Sequence, residues 1–163
     1  MHLDYTLRRM ASVILLTALY GCQSCDLLWE YEETIAYCPL SNSARLIYPY
    51  TGPSDGLELE IVRTPDGTRM YFNARYCPIE SDDEWVEITY CFGNDQCTET
   101  VVTWAALLEG GQRVLLFEQD ADRITQALLD NKIVEVTIGD YQKELLPGGF
   151  EKRYESLYKL PGL

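Results

Sequence analysis

From Arg45 onward the apolar side chains recur at nearly every second position, the repeat of a strand with one buried face. Leu57, Leu59 and Ile61 alternate with Glu58 and Glu60, and Met70, Phe72 and Ala74 return after Thr64-Pro65-Asp66-Gly67. A Pro-Asp-Gly run is turn chemistry, so residues 57–76 read as a hairpin. Arg45 to Tyr50 is a shorter strand ahead of it, closed by the turn-rich residues 51–56. Val86, Ile88, Tyr90 and Phe92 alternate with Glu87 and Thr89. Thr98 to Trp104 reads as the returning strand, and Arg113 to Glu118 as a more apolar, more buried one. Val134, Val136 and Ile138 alternate with Glu135 and Thr137, and Gly139-Asp140 supplies a two-residue turn into Tyr141–Leu146.

Helical spacing is confined to two segments of this region. Asp120 to Asp130 sets Ile124, Ala127 and Leu128 on one face, with Asp120 or Asp122 as cap and Asn131 in the left-handed closing position. After Pro147-Gly148-Gly149, the spacing of Phe150, Tyr154, Leu157 and Tyr158 predicts a short amphipathic helix packed on the sheet. Cys25 to Tyr37 mixes apolar and acidic positions and reads as a tether that becomes an edge strand, with a helix as the alternative. The pattern as a whole predicts a mainly β domain, a β-sandwich or small barrel of about seven or eight antiparallel strands, with one internal helix and a short C-terminal helix.

The N-terminus follows a different rule. Arg8 and Arg9 precede a run from Ala11 to Leu19 that is almost unbroken apolar, followed by Tyr20-Gly21-Cys22. A basic segment, a short apolar segment and a small residue before a cut describe a secretory signal. The run is too short to span a bilayer, which takes roughly 20 residues. Leu19-Tyr20-Gly21-Cys22 resembles the lipobox of bacterial lipoprotein precursors, although Tyr20 is bulkier than the residue usual there. The resemblance covers the signal alone. It implies cleavage before Cys22, a lipid on the Cys22 thiol, and, with Gln23 following, sorting to the outer membrane. The alternative is an ordinary cleavable signal with Cys22 removed or left as a simple cysteine. The domain organisation expected is therefore a signal at 1–21, a lipid-anchored tether and first edge segment at 22–40, and one β-rich domain at 41–163.

The whole chain carries 13 Lys and Arg against 26 Asp and Glu. Removing 21 of 163 residues takes away Arg8, Arg9 and Asp4, and leaves 142 residues with 11 basic and 25 acidic side chains. Such a charge repels nucleic acid and anionic headgroups, so membrane attachment falls to the lipid and a protein partner is expected to be basic. With Cys22 acylated, Cys25, Cys38, Cys77, Cys91 and Cys97 remain, and an odd number cannot all pair within one chain. Gly93-Asn94-Asp95 between Cys91 and Cys97 is turn chemistry, which points to a disulfide across a hairpin. Cys38 and Cys77, each in a Tyr-Cys-Pro triplet, form the second candidate pair.

Chemistry-bearing patterns are sparse. The single histidine, His2, lies in the signal, which removes the usual general base and the commonest zinc and copper ligand from the exported chain. Glu109-Gly110-Gly111-Gln112-Arg113 lacks the Lys-Ser/Thr ending of a phosphate loop and reads as a turn. No metal and no cofactor is expected. Glu80, Asp82, Asp83 and Glu84 crowd one loop directly before Trp85, and these five residues are the candidate contact for a basic partner. Trp29, Tyr31, Tyr37, Tyr48, Tyr50, Tyr71 and Tyr76 are either strand packing or a protein-binding or sugar-stacking surface. The function expected is that of a non-enzymatic, lipid-anchored envelope protein that binds another protein or envelope component. Alternatives are a carboxylate-dependent glycan hydrolase, which needs two converging acids with at least one buried, and a structural envelope protein linked through an unpaired cysteine.

Overall fold

The computed structural model describes residues 28–35, 42–52, 55–94 and 96–159. The signal expected at 1–21, Cys22, Cys25 and Cys38 lie outside the described residues, together with most of the tether expected at 22–40. Among the described residues nine strands and two helices follow in chain order: β1 (Glu30–Thr34), β2 (Ser43–Tyr48), β3 (Leu57–Thr64), β4 (Gly67–Ala74), β5 (Trp85–Gly93), β6 (Cys97–Leu107), β7 (Arg113–Leu115), α1 (Glu118–Leu129), β8 (Ile133–Ile138), β9 (Tyr141–Leu145) and α2 (Phe150–Ser156). The mainly β class stands, with an internal and a C-terminal helix. All nine strands belong to one antiparallel sheet in the order β1-β2-β3-β4-β7-β6-β5-β8-β9, which does not close.

Alternation fixes which side chains meet. The register Leu46↔Ile61, Ile61↔Met70 and Leu59↔Phe72 puts the apolar rows of β2, β3 and β4 on one face. Ile88↔Ile138, Tyr90↔Val136 and Phe92↔Val134 do the same for β5 and β8. Rows from both halves of the sheet join a single core cluster with Ile124 and Leu128 of α1 and Phe150 of α2. The sheet thus wraps round its own interior. Its two halves stay hydrogen-bonded through the three-residue β7, which pairs with β4 on one side and with Ala106 and Leu107 of β6 on the other. α1 packs against β4 and β8, and α2 against α1 and β1.

Where the sheet stops short of closing, side chains take over. Lys143 of β9 points inward and is buried, with Nζ 2.5 Å from Asp55 Oδ2 and 2.8 Å from the Pro49 carbonyl. The Trp29 indole N–H donates to the Leu146 carbonyl at 3.0 Å, and its ring packs 4.7 Å from those of Tyr48 and Phe150. The Tyr141 hydroxyl donates to the Cys77 carbonyl at 2.7 Å and accepts from its N–H at 2.9 Å. Gly56 sits against the Tyr141 ring with φ +40°, and a Cβ there would lie 2.5 Å from that ring. Glycine is the residue that tolerates both the conformation and the approach.

Several local expectations are refined. β7 ends at Leu115 because α1 begins at Glu118, which shortens the strand expected over Arg113 to Glu118. The α1 cap is Phe117, with no side-chain capping bond. Asp120 lies within the first helical turn instead, because the helix begins at Glu118, and its buried carboxylate accepts from the Tyr90 and Thr103 hydroxyls. Asn131 does take the left-handed position, at φ 59°. Trp29 and Tyr48 belong to the core and are no surface.

Candidate functional site

The loop before β5 is held at both ends. Ile79 is buried as a plug, and its N–H donates to the Gly111 carbonyl at 2.7 Å. The Glu84 carbonyl accepts from Leu107 N–H at 2.8 Å, and Ser81 Oγ donates to the Trp85 carbonyl at 2.7 Å. Between these clamps the side chains of Glu80, Asp82, Asp83 and Glu84 are exposed. Among the described residues none of the four is ion-paired.

Trp85 opens β5 on the face of the sheet that points away from the core. Its ring is 44% exposed and stacks on Phe117, itself 47% exposed, at a centroid distance of 5.5 Å and an interplanar angle of 26°. On the same face β6 presents Trp104, 56% exposed, and Val102, 59% exposed. Register places Ala106 opposite Trp85, Trp104 opposite Glu87 and Val102 opposite Thr89. Four large apolar side chains therefore share one solvated patch. Single exposed apolar residues are ordinary, but a contiguous group rimmed by charge marks an interaction surface.

The sequence reading found Trp85 and the acidic loop and missed Trp104, Val102 and Phe117. A signal for the wider face was present: residues 76–112 contain eight carboxylates and no lysine, arginine or histidine. Trp104 and Val102 ended a predicted strand whose outward face could not be assigned without its register.

The other half of the outward face is also charged, but balanced. Glu58 and Glu60 of β3 point away from the core yet are buried, because arginine side chains lie over them. Arg75 reaches both Glu58 oxygens at 2.6 Å. Glu60 takes Arg45 at 3.1 Å and Arg113 at 2.6 Å. Asn73 donates to both carboxylates, at 3.4 and 3.3 Å. The Glu58 carboxylate pushes the Arg75 guanidinium pKa up from its ordinary value. Two adjacent buried acids meet one requirement of a carboxylate hydrolase. Each is taken up by guanidinium groups, however, so the pair works as a cross-strand tie rather than as acid and base.

Cys91 and Cys97 form the expected disulfide, with Cα atoms 5.6 Å apart across the β5–β6 turn. Cys77 is a free, exposed thiol, and Cys38, the partner expected for it, lies outside the described residues. Tyr141 holds the Cys77 backbone at both its N–H and its carbonyl, and the segment lines a cavity of about 580 Å³ with Tyr76, Glu80 and Asp140. Beneath α1, the buried Tyr90 hydroxyl donates to Asp120 Oδ1 at 2.5 Å, and Thr103 Oγ1 donates to Oδ2 at 3.1 Å. Burial and the neighbouring Asp120 carboxylate push the Tyr90 pKa up to about 12. Among the described residues no three His, Cys, Asp or Glu side chains group to hold a metal ion, and no helix is long and apolar enough to cross a membrane. No family model, curated protein or solved structure matches this chain.

Proposed function

We propose that this chain is a non-enzymatic, lipid-anchored protein of the bacterial cell envelope whose β-rich domain binds another protein through its acidic–aromatic face. The anchor is Cys22, and the outer membrane is the destination that the lipobox-like Leu19-Tyr20-Gly21-Cys22 suggests. The carrying observation is the exposed Trp85–Phe117 stack beside Trp104 and Val102, bordered by Glu80, Asp82, Asp83 and Glu84. Tryptophan is favoured at the centre of protein interfaces, where a large rigid side chain loses little entropy on binding. Carboxylates without an internal cation favour a basic partner and speed its approach.

The test is photocrosslinking in isolated native envelopes, from a reactive side chain at position 102 and, as control, at position 151 on exposed α2. The expected result is a defined adduct from position 102 that declines as salt is raised, and none from position 151. Equal adducts from both positions, or a salt-insensitive adduct from position 102, would refute the reading. The anchor is tested separately by intact mass, which should match residues 22–163 plus acyl groups.

A further inference from the structure

We infer that the outward face of β5 and β6 takes a cationic amphipathic peptide segment of the partner, with a lysine or arginine side chain seated on Trp104 beside Glu87 and apolar side chains against Trp85, Phe117 and Val102. This rests on the docking reading above and specifies what docks.

Glu87 and Trp104 are direct cross-strand partners, and both are exposed on the outward face. Side chains directly opposite in an antiparallel pair have Cβ atoms about 4.5–5.5 Å apart, which sets the carboxylate alongside the indole. An indole is the best aromatic platform for a cation, and a carboxylate at its edge supplies the charge-assisted hydrogen bond. Ala106 lies opposite Trp85 and two residues from Trp104 on β6, so at that corner the face carries only a methyl group.

The same sheet face shows what this constellation binds. Across β3, β4 and β7, Arg113 lies 3.9 Å from the centroid of Tyr71 while it pairs with Glu60 at 2.6 Å. Arg75 sits 5.8 Å from the Tyr50 centroid while it pairs with Glu58. Aromatic ring, carboxylate and guanidinium thus recur as a set within the chain. At Glu87 and Trp104 two members are present, and no described side chain supplies the third. The absence of any basic residue from position 76 to 112 means that none is near in sequence either. Farther along the same face, Glu135 and Glu144 oppose each other directly across β8 and β9, again without an ion-pair partner among the described residues. Like charges so placed are unfavourable until a cation arrives, which extends the complementarity beyond one seat. A neutral glycan would use the rings but leave these carboxylates without counter-charge.

Tryptophan emission reports the face, because Trp29 is buried while Trp85 and Trp104 are exposed. The mature chain is titrated with acetyl-(Lys-Leu)4-amide, with the same peptide carrying glutamine for lysine, and with a neutral xylo-oligosaccharide. The lysine peptide should shift the emission saturably and weaken about tenfold or more between low and high salt. Trp104→Ala and Glu87→Gln should each weaken it about fivefold, by the size expected of a partly desolvated cation–π or charged contact. Glu99→Gln, which removes the same charge from the core-facing row of β6, should leave it unchanged. Equal binding of the glutamine peptide, salt-insensitive binding of the oligosaccharide, or equal weakening by Glu99→Gln would each overturn the inference. So would failure of the lysine peptide to bind; if the crosslink from position 102 persists in that case, the docking face stands and only its cationic occupant is wrong.

Discussion

Replacing Tyr90 by phenylalanine tests the polar link between α1 and the sheet. The variant keeps the ring, which packs at 5.2 Å from Phe92, and removes only the hydroxyl. Asp120 Oδ1 then loses its 2.5 Å donor and keeps Thr103 alone on the other oxygen. A hydrogen bond to a charged group contributes about 1.5–3 kcal/mol, so a loss of about 2 kcal/mol is expected near neutral pH. The pH dependence is the sharper part. Burial and the adjacent Asp120 carboxylate raise the Tyr90 pKa from 10.0 to about 12, while Arg123 works in the opposite direction. The folded chain therefore holds a proton that the unfolded chain releases between those values. The stabilisation is complete below pH 10 and is lost as pH rises towards 12, by about 3 kcal/mol at roughly 1.4 kcal/mol per unit. Tyr31 and Tyr154 are also raised, Tyr31 to about 12, but both residues are common to the two proteins and cancel in the difference. Urea unfolding followed by circular dichroism at several pH values from 8 to 12 measures the gap directly. Wild type should be the more stable by about 2 kcal/mol at pH 8, with the gap closing or inverting by pH 12. A gap that stays constant over this range, or a Tyr90→Phe protein as stable as wild type at pH 8, would show that the hydroxyl is not the link described.

Four further outcomes follow from the seam and the cysteines. Lys143→Met should cost about 3–5 kcal/mol in urea unfolding, because Asp55 is left without its cation, and adding Asp55→Asn should restore part of it; a loss below about 1 kcal/mol would mean the pair contributes little. Desolvation acts to raise the Asp55 pKa, but the Lys143 ammonium and the Thr51 hydrogen bonds outweigh it and hold it below its ordinary value of 3.8. Wild type should therefore lose seam stability as pH falls below about 4, and Asp55→Asn should lack that component. Cys91→Ser with Cys97→Ser should lower stability by roughly 2 kcal/mol, the loop-closure value for so short a ring, while a maleimide should label Cys77 in the native protein without reductant.

Element existence and facing were legible because a half-buried strand writes its burial into every second residue. Leu57, Leu59 and Ile61 are all in the core, and so are Val134, Val136 and Ile138. Turn chemistry was as direct: the Pro65-Asp66 turn and the Gly139-Asp140 turn join β3 to β4 and β8 to β9 in register. The strand order was not legible. β7 inserts between β4 and β6 through only five registered pairs, and three residues carry too little pattern to announce such a role. Polar residues on the inner face were not legible for a related reason. Lys143 and Asp120 look like surface charges until the partners that satisfy them, Asp55 and Tyr90, are brought in from 88 and 30 residues away. The candidate site was half legible, because Trp85 adjoins its acids in sequence while Phe117 reaches it only through the fold.

That arrangement also decides which part of the sheet is free to bind. An open sheet has two edges, and an unprotected edge strand recruits further strands. Here β1 carries Glu30, Glu32 and Glu33 in five residues, and β9 carries the inward Lys143 beside Glu144. Strand addition at β1 would bring a partner backbone against a row of carboxylates, one of them already committed to Arg45. Addition at β9 would have to displace Lys143 from Asp55 and Pro49, and the Tyr141 hydroxyl from Cys77. The β9 edge is thus occupied by interactions that stabilise the fold, and the β1 edge is guarded by charge. Three outward side chains of β5 and β6 are under no such obligation: those of Trp104, Val102 and Glu87 make no hydrogen bond, ion pair or ring contact among the described residues. Recognition by side chains on the face, and not by backbone at an edge, is the mode of binding that this fold leaves open.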